Sequence, residues 1–290
     1  MRGGVELNTG FIGAGKVGVS LARYFIEGGL GVSGFCSRSR ESAEEAAHFT
    51  GTKVFDGIET LVKECDVIFI TVPDGSINQI WQQIRNYEIK GKYICHCSGA
   101  LSSQDAFDGI VYTGAYGYSI HPLFAVSDKF NAYREFEDVF FVAEGDGPDD
   151  IIKMLRSLGI PLHIIESQHK TAYHLAAATA SNLVCGLIDQ SIEIMQMCGF
   201  EENEAIRALG PILMGNMAHI ADRGPVASLT GPVERNDITT VRKHMDCMTD
   251  EKQKEVYRLL SHRLVRMAQR RHPDRDYAGM NEILRKGSEE

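Results

Sequence analysis

The run Phe11-Ile12-Gly13-Ala14-Gly15-Lys16-Val17-Gly18 decides how the rest of the chain is read. Two apolar residues close a strand, and three glycines follow at the spacing GxGxxG. Residues 16–27 then continue as a helix, with Val17, Leu21, Tyr24 and Phe25 on its buried side. The glycine spacing alone is a weak signal. Set between a strand and a helix in the first β-α-β unit, it becomes a dinucleotide fingerprint. Gly13 permits the tight turn, Gly15 lets the backbone approach a pyrophosphate, and Gly18 lets the helix pack on the strand. The helix N-terminus offers N–H groups and a partial positive charge to phosphates. Gly13, Ala14, Gly15, Lys16, Val17 and Gly18 are therefore the expected cofactor loop.

Outward from this loop, strand-like and helix-like segments alternate. Strands are expected at 31–37, 53–55, 66–72, 93–97, 118–120, 139–143 and 162–165, and helices at 41–48, 57–64, 76–85 and 150–158. The continuous apolar run at 66–72 reads as a strand covered on both faces. Such alternation predicts an α/β Rossmann domain, a doubly wound parallel sheet over residues 1–166. From 167 to 290 strand signals cease. Helical stretches at 173–187, 192–198, 202–209, 212–221, 238–247 and 251–270 predict an all-helical second domain.

The end of the second strand bears on which dinucleotide is bound. An enzyme that prefers NAD usually places a carboxylate there for the ribose 2′-hydroxyl. Here the chain has Ser37-Arg38-Ser39-Arg40, whose hydroxyl and guanidinium groups suit a 2′-phosphate, so the cofactor expected is NADP. Val72-Pro73 ends the fourth strand near the expected nicotinamide ribose, and Ser98-Gly99 ends the fifth near the nicotinamide ring.

Composition excludes several other classes. The 290 residues are 43% hydrophobic and 24% charged, as in an ordinary globular protein, and the net charge is -9. That sign argues against sequence-independent binding of nucleic acid or anionic lipid. The basic residues between 263 and 275 are interleaved with Asp274 and read as a solvated helix end. No apolar stretch approaches the ~20 residues of a membrane span. Residues 1–8 lack the basic flank and apolar core of a secretion signal, so a cytoplasmic protein is expected. Seven scattered cysteines read as reduced thiols. Cys95-His96-Cys97 is not expected to hold a metal, because alternation on a strand sends the imidazole away from the two thiols.

Hydride delivery to a carbonyl or imine needs an acid within ~3 Å of the reduced group. Lys170, His174, Ala177 and Ser181 recur at helical spacing, so Lys170, His174 and Ser181 can converge on one cleft with Asn182 at its border. His121, before Pro122 at a strand end, points toward the same edge. In the loop 230–237, Arg235 can grip a substrate carboxylate, and Asn236 or Asp237 can cap the helix that follows.

Several of these segments resemble a bacterial family of Rossmann-like proteins with a C-terminal helical domain of unassigned function, the DUF2520 type. They are the glycine loop with Ser37-Arg38, His96-Cys97-Ser98-Gly99-Ala100, and Ser119-Ile120-His121-Pro122-Leu123-Phe124. Lys170-x-x-Tyr173-His174 with Ala180-Ser181-Asn182, and the run from Leu229 to Asp237, complete the match. More distantly, the layout is similar to the 6-phosphogluconate dehydrogenase-like superfamily, which includes ketopantoate, pyrroline-5-carboxylate and prephenate enzymes. That resemblance implies a Lys-x-x-x-Asn pair on the first long helix after the Rossmann domain. The Lys exchanges the substrate proton and the Asn orients it. Lys170 and His174 occupy these positions, and His in place of Asn leaves open which of the two transfers the proton.

The expected function is an NADP-dependent oxidoreductase acting on a small anionic keto acid, ketopantoate-like first, or a cyclic imine acid. Its substrate-binding residues would be His121, Ser181, Asn182 and Arg235. A non-enzymatic NADP sensor and a deazaflavin-dependent oxidoreductase are the alternatives. The apolar helical stretches at 183–198 and 206–217 predict a homodimer through the helical domain.

Overall fold

Strand β1 (Thr9–Ile12) is buried throughout and sends Phe11 to one face of a sheet and Ile12 to the other. This is a computed structural model describing residues 7–285; the leader-free reading of the N-terminus rests on residues 1–8, of which 1–6 lie outside that range. The remaining strands are β2 (Val32–Cys36), β3 (Lys53–Val54), β4 (Val67–Ile70), β5 (Tyr93–His96), β6 (Tyr116–Pro122), β7 (Phe141–Gly145) and β8 (Leu162–Ile164). They form one sheet in the order β3-β2-β1-β4-β5-β6-β7-β8. The order reverses direction between β1 and β4, the crevice where open α/β sheets bind ligands.

Two helical layers follow from the alternation. On the Phe11 face lie α1 (Lys16–Glu27), α2 (Arg40–Thr50) and α6 (Asp150–Arg156). On the Ile12 face lie α3 (Ile58–Glu64), α4 (Asp74–Ile84) and α5 (Ser103–Ala106). Phe11 sits between Phe35 and Phe69 of the neighbouring strands, with ring centroids 5.6 and 5.3 Å away. Cys95 and partly buried Cys97 belong to the Phe11-side core, whereas the His96 ring packs on Phe107 of the other.

The sheet is parallel from β3 to β6, but β7 pairs antiparallel with β6, and β8 runs parallel to β7. The expectation of parallel strands throughout is corrected at this edge. Parallel neighbours need a crossover. Between β6 and β7 there is only a 3-10 segment (Ala132–Asp138), held against α1 through Tyr24 and Phe136, so the chain turns back instead.

The chain divides into two compact units, after Ser181. The first includes α7 (Lys170–Ala180); the second holds α8 (Asn182–Met197), α9 (Glu202–Ser228), α10 (Ile238–Cys247), α11 (Glu251–Arg271) and α12 (Ala278–Arg285). The single helical stretch expected over 173–187 is broken: Ser181 leaves helical geometry at φ -123 and ψ -78. The two helices expected over 202–221 are one, passing Pro211 and breaking only at Gly224, where φ is 80. Val241, Val265, Ala268, Tyr277, Met280 and Leu284 form the core of the second unit. Helix α12, too short to show a periodicity, was not expected. Among the described residues no helix is long and apolar enough to cross a membrane.

Candidate active site

The glycine loop has the shape its sequence demands. Gly13 stands at φ +109, and a Cβ there would lie 2.7 Å from the Thr71 carbonyl oxygen. At Gly18 a Cβ would overlap Thr71 Oγ1, which donates to the Gly13 carbonyl at 2.9 Å. Gly15 is different: a Cβ would meet nothing, and the residue is exposed as the N-cap of α1. No side chain caps that helix, and its first turn carries no acid. Ala14 is buried beneath the loop, while Lys16 is exposed and Val17 half-buried. An uncapped helix N-terminus behind an open glycine fits a dinucleotide pyrophosphate.

At the end of β2, Ser37 is half-buried and Arg38 exposed, with no ion-pair partner among the described residues. Ser39 is the N-cap of α2, accepting from Ser42 N at 3.2 Å. Arg40 is engaged by Glu44 and Asp56. That leaves Arg38, beside Ser37, as a cation at this strand end with no ion pair among the described residues. Beyond β4, half-buried Val72 and exposed Pro73 lead into α4. Asp74, the first residue of α4, accepts from Ser98 Oγ at 2.7 Å, which ties this strand end to that of β5. Ser98 Oγ also accepts from Ala100 N and Leu101 N, each at 3.1 Å.

Lys170 is the unusual residue of the unit. It opens α7 yet is only 1% exposed, and its Nζ donates to Ser119 Oγ at 2.5 Å. Ser119 in turn donates to the Ser98 carbonyl at 3.2 Å. Burial draws the ammonium down to about 8, against the opposing pull of Glu144, Cys97 and Asp74. Two neutral imidazoles flank it. His96 is lowered to about 3 by burial and by Lys170. Its Nδ1 accepts from Ser98 N at 3.1 Å, so the ring proton is on Nε2, 3.3 Å from the Ser102 carbonyl. His121 is lowered to about 4 by burial, Lys170 and His174, and its Nδ1 lies 2.6 Å from the Tyr173 hydroxyl.

His121 and His174 meet over Gly99. A Cβ at Gly99 would lie 2.9 Å from His174 Cδ2 and 3.0 Å from His121 Nε2. The missing side chain leaves a recess that the two imidazoles themselves fill. His174 is exposed and His121 half-buried. Tyr173 completes the group, its hydroxyl pushed up to about 12 by burial and its ring 5.5 Å from Lys170 Nζ.

Residues 8–98 match the family described as NADP oxidoreductase coenzyme F420-dependent, and residues 139–264 match the Domain of unknown function (DUF2520). The chain joins these two domains. The glycine loop falls in the first match, and Lys170 with its helix falls in the DUF2520 segment. Loop geometry and family match together point to an NADP-dependent oxidoreductase. No curated protein matches the chain. Protein TM1727 from Thermotoga maritima is similar at 29% identity, with 91% of this chain and 99% of that one covered and a TM-score of 0.72. The fold is shared with an imine reductase from Myxococcus stipitatus solved with NADP+, at 16% identity, 96% and 99% coverage and a TM-score of 0.59. It is shared too with the Plasmodium falciparum pyrroline carboxylate reductase solved with NADP, at 13% identity, 92% and 100% coverage and a TM-score of 0.55.

Of the residues expected to meet, Lys170, His174, His121, Ser98 and Gly99 do. Ser181 does not share their helix face, because the helix ends there and its hydroxyl donates back to the Ala177 carbonyl at 2.8 Å. Asn182 opens α8 in the second unit, and Arg235 is an exposed loop residue of that unit. Asp237 caps α10, accepting from Thr240 N at 3.0 Å. Sequence reasoning assigned no role to Ser119, Tyr173 or Asp74, although each lies within a segment it singled out. Glu144 of the DUF2520 segment carried no signal, since a glutamate among strand residues looks like a solvated edge.

Proposed function

We propose that the chain is an NADPH-dependent reductase of a small anionic keto acid or cyclic imine acid, with Lys170 as the proton store of the site. The observation that carries this reading is the buried Lys170 ammonium on Ser119, beside the Gly99 recess and at the same sheet edge as the glycine loop. The loop 13–18 would hold the pyrophosphate, Ser37 and Arg38 the 2′-phosphate, and Val72, Pro73, Ser98 and Gly99 the nicotinamide half. When bound there, the cofactor supplies the hydride. A group that releases its proton near pH 8 is matched to protonating a nascent alkoxide or amine. Taken with the Tyr173 phenol as donor to Nδ1, neutral His121 carries its proton on Nε2, the nitrogen facing Gly99, and donates a hydrogen bond to the substrate oxygen or nitrogen without giving up that proton. His174 stands exposed beside His121 over Gly99. The local charge favours an anion, and Arg235 remains a proposed carboxylate ligand.

A 2-keto acid of the ketopantoate kind is our first choice and a pyrroline carboxylate the second. The free thiols Cys36, Cys65, Cys95, Cys97, Cys198 and Cys247 suit a reducing cytoplasm. Leu183, Met197, Ile212 and Met214 are exposed on α8 and α9, which supports a homodimer through the helical unit; a monomer in light scattering at micromolar concentration would count against it. The functional test is NADPH binding and oxidation against a panel of keto acids and cyclic imines, repeated with Lys170→Ala and His174→Ala. Turnover of one substrate, lost in Lys170→Ala while NADPH still binds, is the expected result. Tight binding without turnover would favour a sensor. Turnover only with reduced deazaflavin would move the reading to the carrier named by the matched family.

A further inference from the structure

We propose that Glu144 is the positioning residue of this site: it supplies the buried counter-charge to Lys170 and pins the turn from which Lys170 projects. The inference rests on Lys170 being the proton store. Glu144 is 1% exposed, a costly place for a carboxylate. Its Oε2 accepts from Ser103 N at 2.7 Å, and its Oε1 accepts from Ser103 Oγ at 2.8 Å and Ser167 Oγ at 2.5 Å. Ser103 begins α5, just past the Gly99 recess. Ser167 begins the 3-10 turn Ser167–His169, whose next residue is Lys170. One carboxylate thereby joins both walls of the site to β7.

The β6–β7 register places Glu144 directly opposite Ser119, so the two side chains leave the sheet on one face. Ser119 is the residue that accepts from Lys170. The three serine and backbone donors occupy both carboxylate oxygens, more than one amide oxygen can accept, so they call for a carboxylate and Lys170 answers its charge. Other groups acting on that ammonium are Cys97 beyond β5, Asp74 of α4, and the neutral His96 and His121 of β5 and β6; among those that favour its charged form Glu144 ranks first.

The test uses the full-length protein with isotope-labelled lysine. The Lys170 ammonium is titrated by NMR and assigned by its loss in Lys170→Met. Glu144→Gln is expected to move that midpoint down by about one unit, with the alkaline limb of NADPH oxidation following and NADPH affinity unchanged. Glu144→Asp, which keeps the charge, should restore most of the shift. Ser167→Ala keeps the charge but frees the turn, and should lower kcat with the midpoint in place. An unmoved midpoint in Glu144→Gln overturns the counter-charge, and wild-type kcat in Ser167→Ala overturns the pinning, including where Glu144→Gln does not fold. Absence of turnover in the wild type with every substrate would refute the reductase reading, while the NMR midpoint would still decide the role of Glu144.

Discussion

Lys170 Nζ and Ser119 Oγ lie 2.5 Å apart where neither residue is exposed to solvent by more than 1%. A cation kept in such a place works against the fold. Its folded value of about 8 is below the unfolded 10.5, so at neutral pH the native state carries an ammonium it binds less readily than the unfolded chain does. Wild-type stability should therefore rise with pH from about 8 to about 10.5 as the folded chain sheds this proton. Lys170→Met should lack that rise, and because it leaves the Glu144 carboxylate buried without its counter-charge it should be less stable than wild type at pH 7, by about 3–5 kcal/mol. It should also abolish turnover. Urea unfolding at a series of pH values checks both, and a variant that keeps the rise between pH 8 and 10.5 would refute the argument.

The two buried imidazoles act in the acid range. His96 and His121 titrate at about 3 and about 4, below the unfolded value of 6.5. The stability they contribute is complete above pH 6.5 and is lost as pH falls through their folded values, because the unfolded chain takes up the protons first. Unfolding midpoints should thus fall steadily between pH 6.5 and 4, and His121→Gln should flatten the slope by about one proton.

Gly99→Ala tests the recess. Its Cβ would press on His174, which can swing into solvent, and on His121, which Tyr173 holds. We expect kcat to fall about tenfold or more while the fold survives, because a small displacement of a hydrogen-bond donor to the substrate is expensive in rate. A crystal structure of the variant should show His174 rotated and His121 in place. Unchanged kcat would mean that the reacting atoms lie elsewhere.

Arg38→Ala should weaken NADPH about ten- to a hundredfold, the value of a charge-assisted hydrogen bond, and leave NADH affinity where it was. Isothermal titration with both cofactors makes the comparison. Equal losses for the two would show that Arg38 supports the loop and does not read the 2′-phosphate.

Much of this molecule was legible before its structure. Gly13, Gly15 and Gly18 announced their roles because a turn, an open approach and a close packing each forbid a side chain in a different way. The reversal of β7 was hidden, since strand direction depends on whether the connection crosses over, and a 3-10 segment carries no period. Lys170 and His174 came from the resemblance to a Lys-x-x-x-Asn pair together with helical spacing, but Ser181 did not follow them, because spacing cannot see where a helix stops. Glu144 is the residue least visible in sequence. Its meaning comes from the strand opposite, and pairing register lies outside any local pattern.

The order of the parts along the chain has a consequence for how the protein can change. The residues proposed to hold the cofactor phosphates fall between 13 and 38, and those proposed to hold and move protons between 96 and 174. Side chains of the two tracts meet along a seam that includes the rings of Tyr24 and Phe136 and, a little beyond the first tract in sequence, Lys129 with Glu45, 2.5 Å apart. Substitutions that retune which dinucleotide is held should therefore combine additively with those that retune the acid, except where they meet at that seam. Cofactor and substrate can be inherited as separate traits, and a new reductase can be written by editing one tract and copying the other.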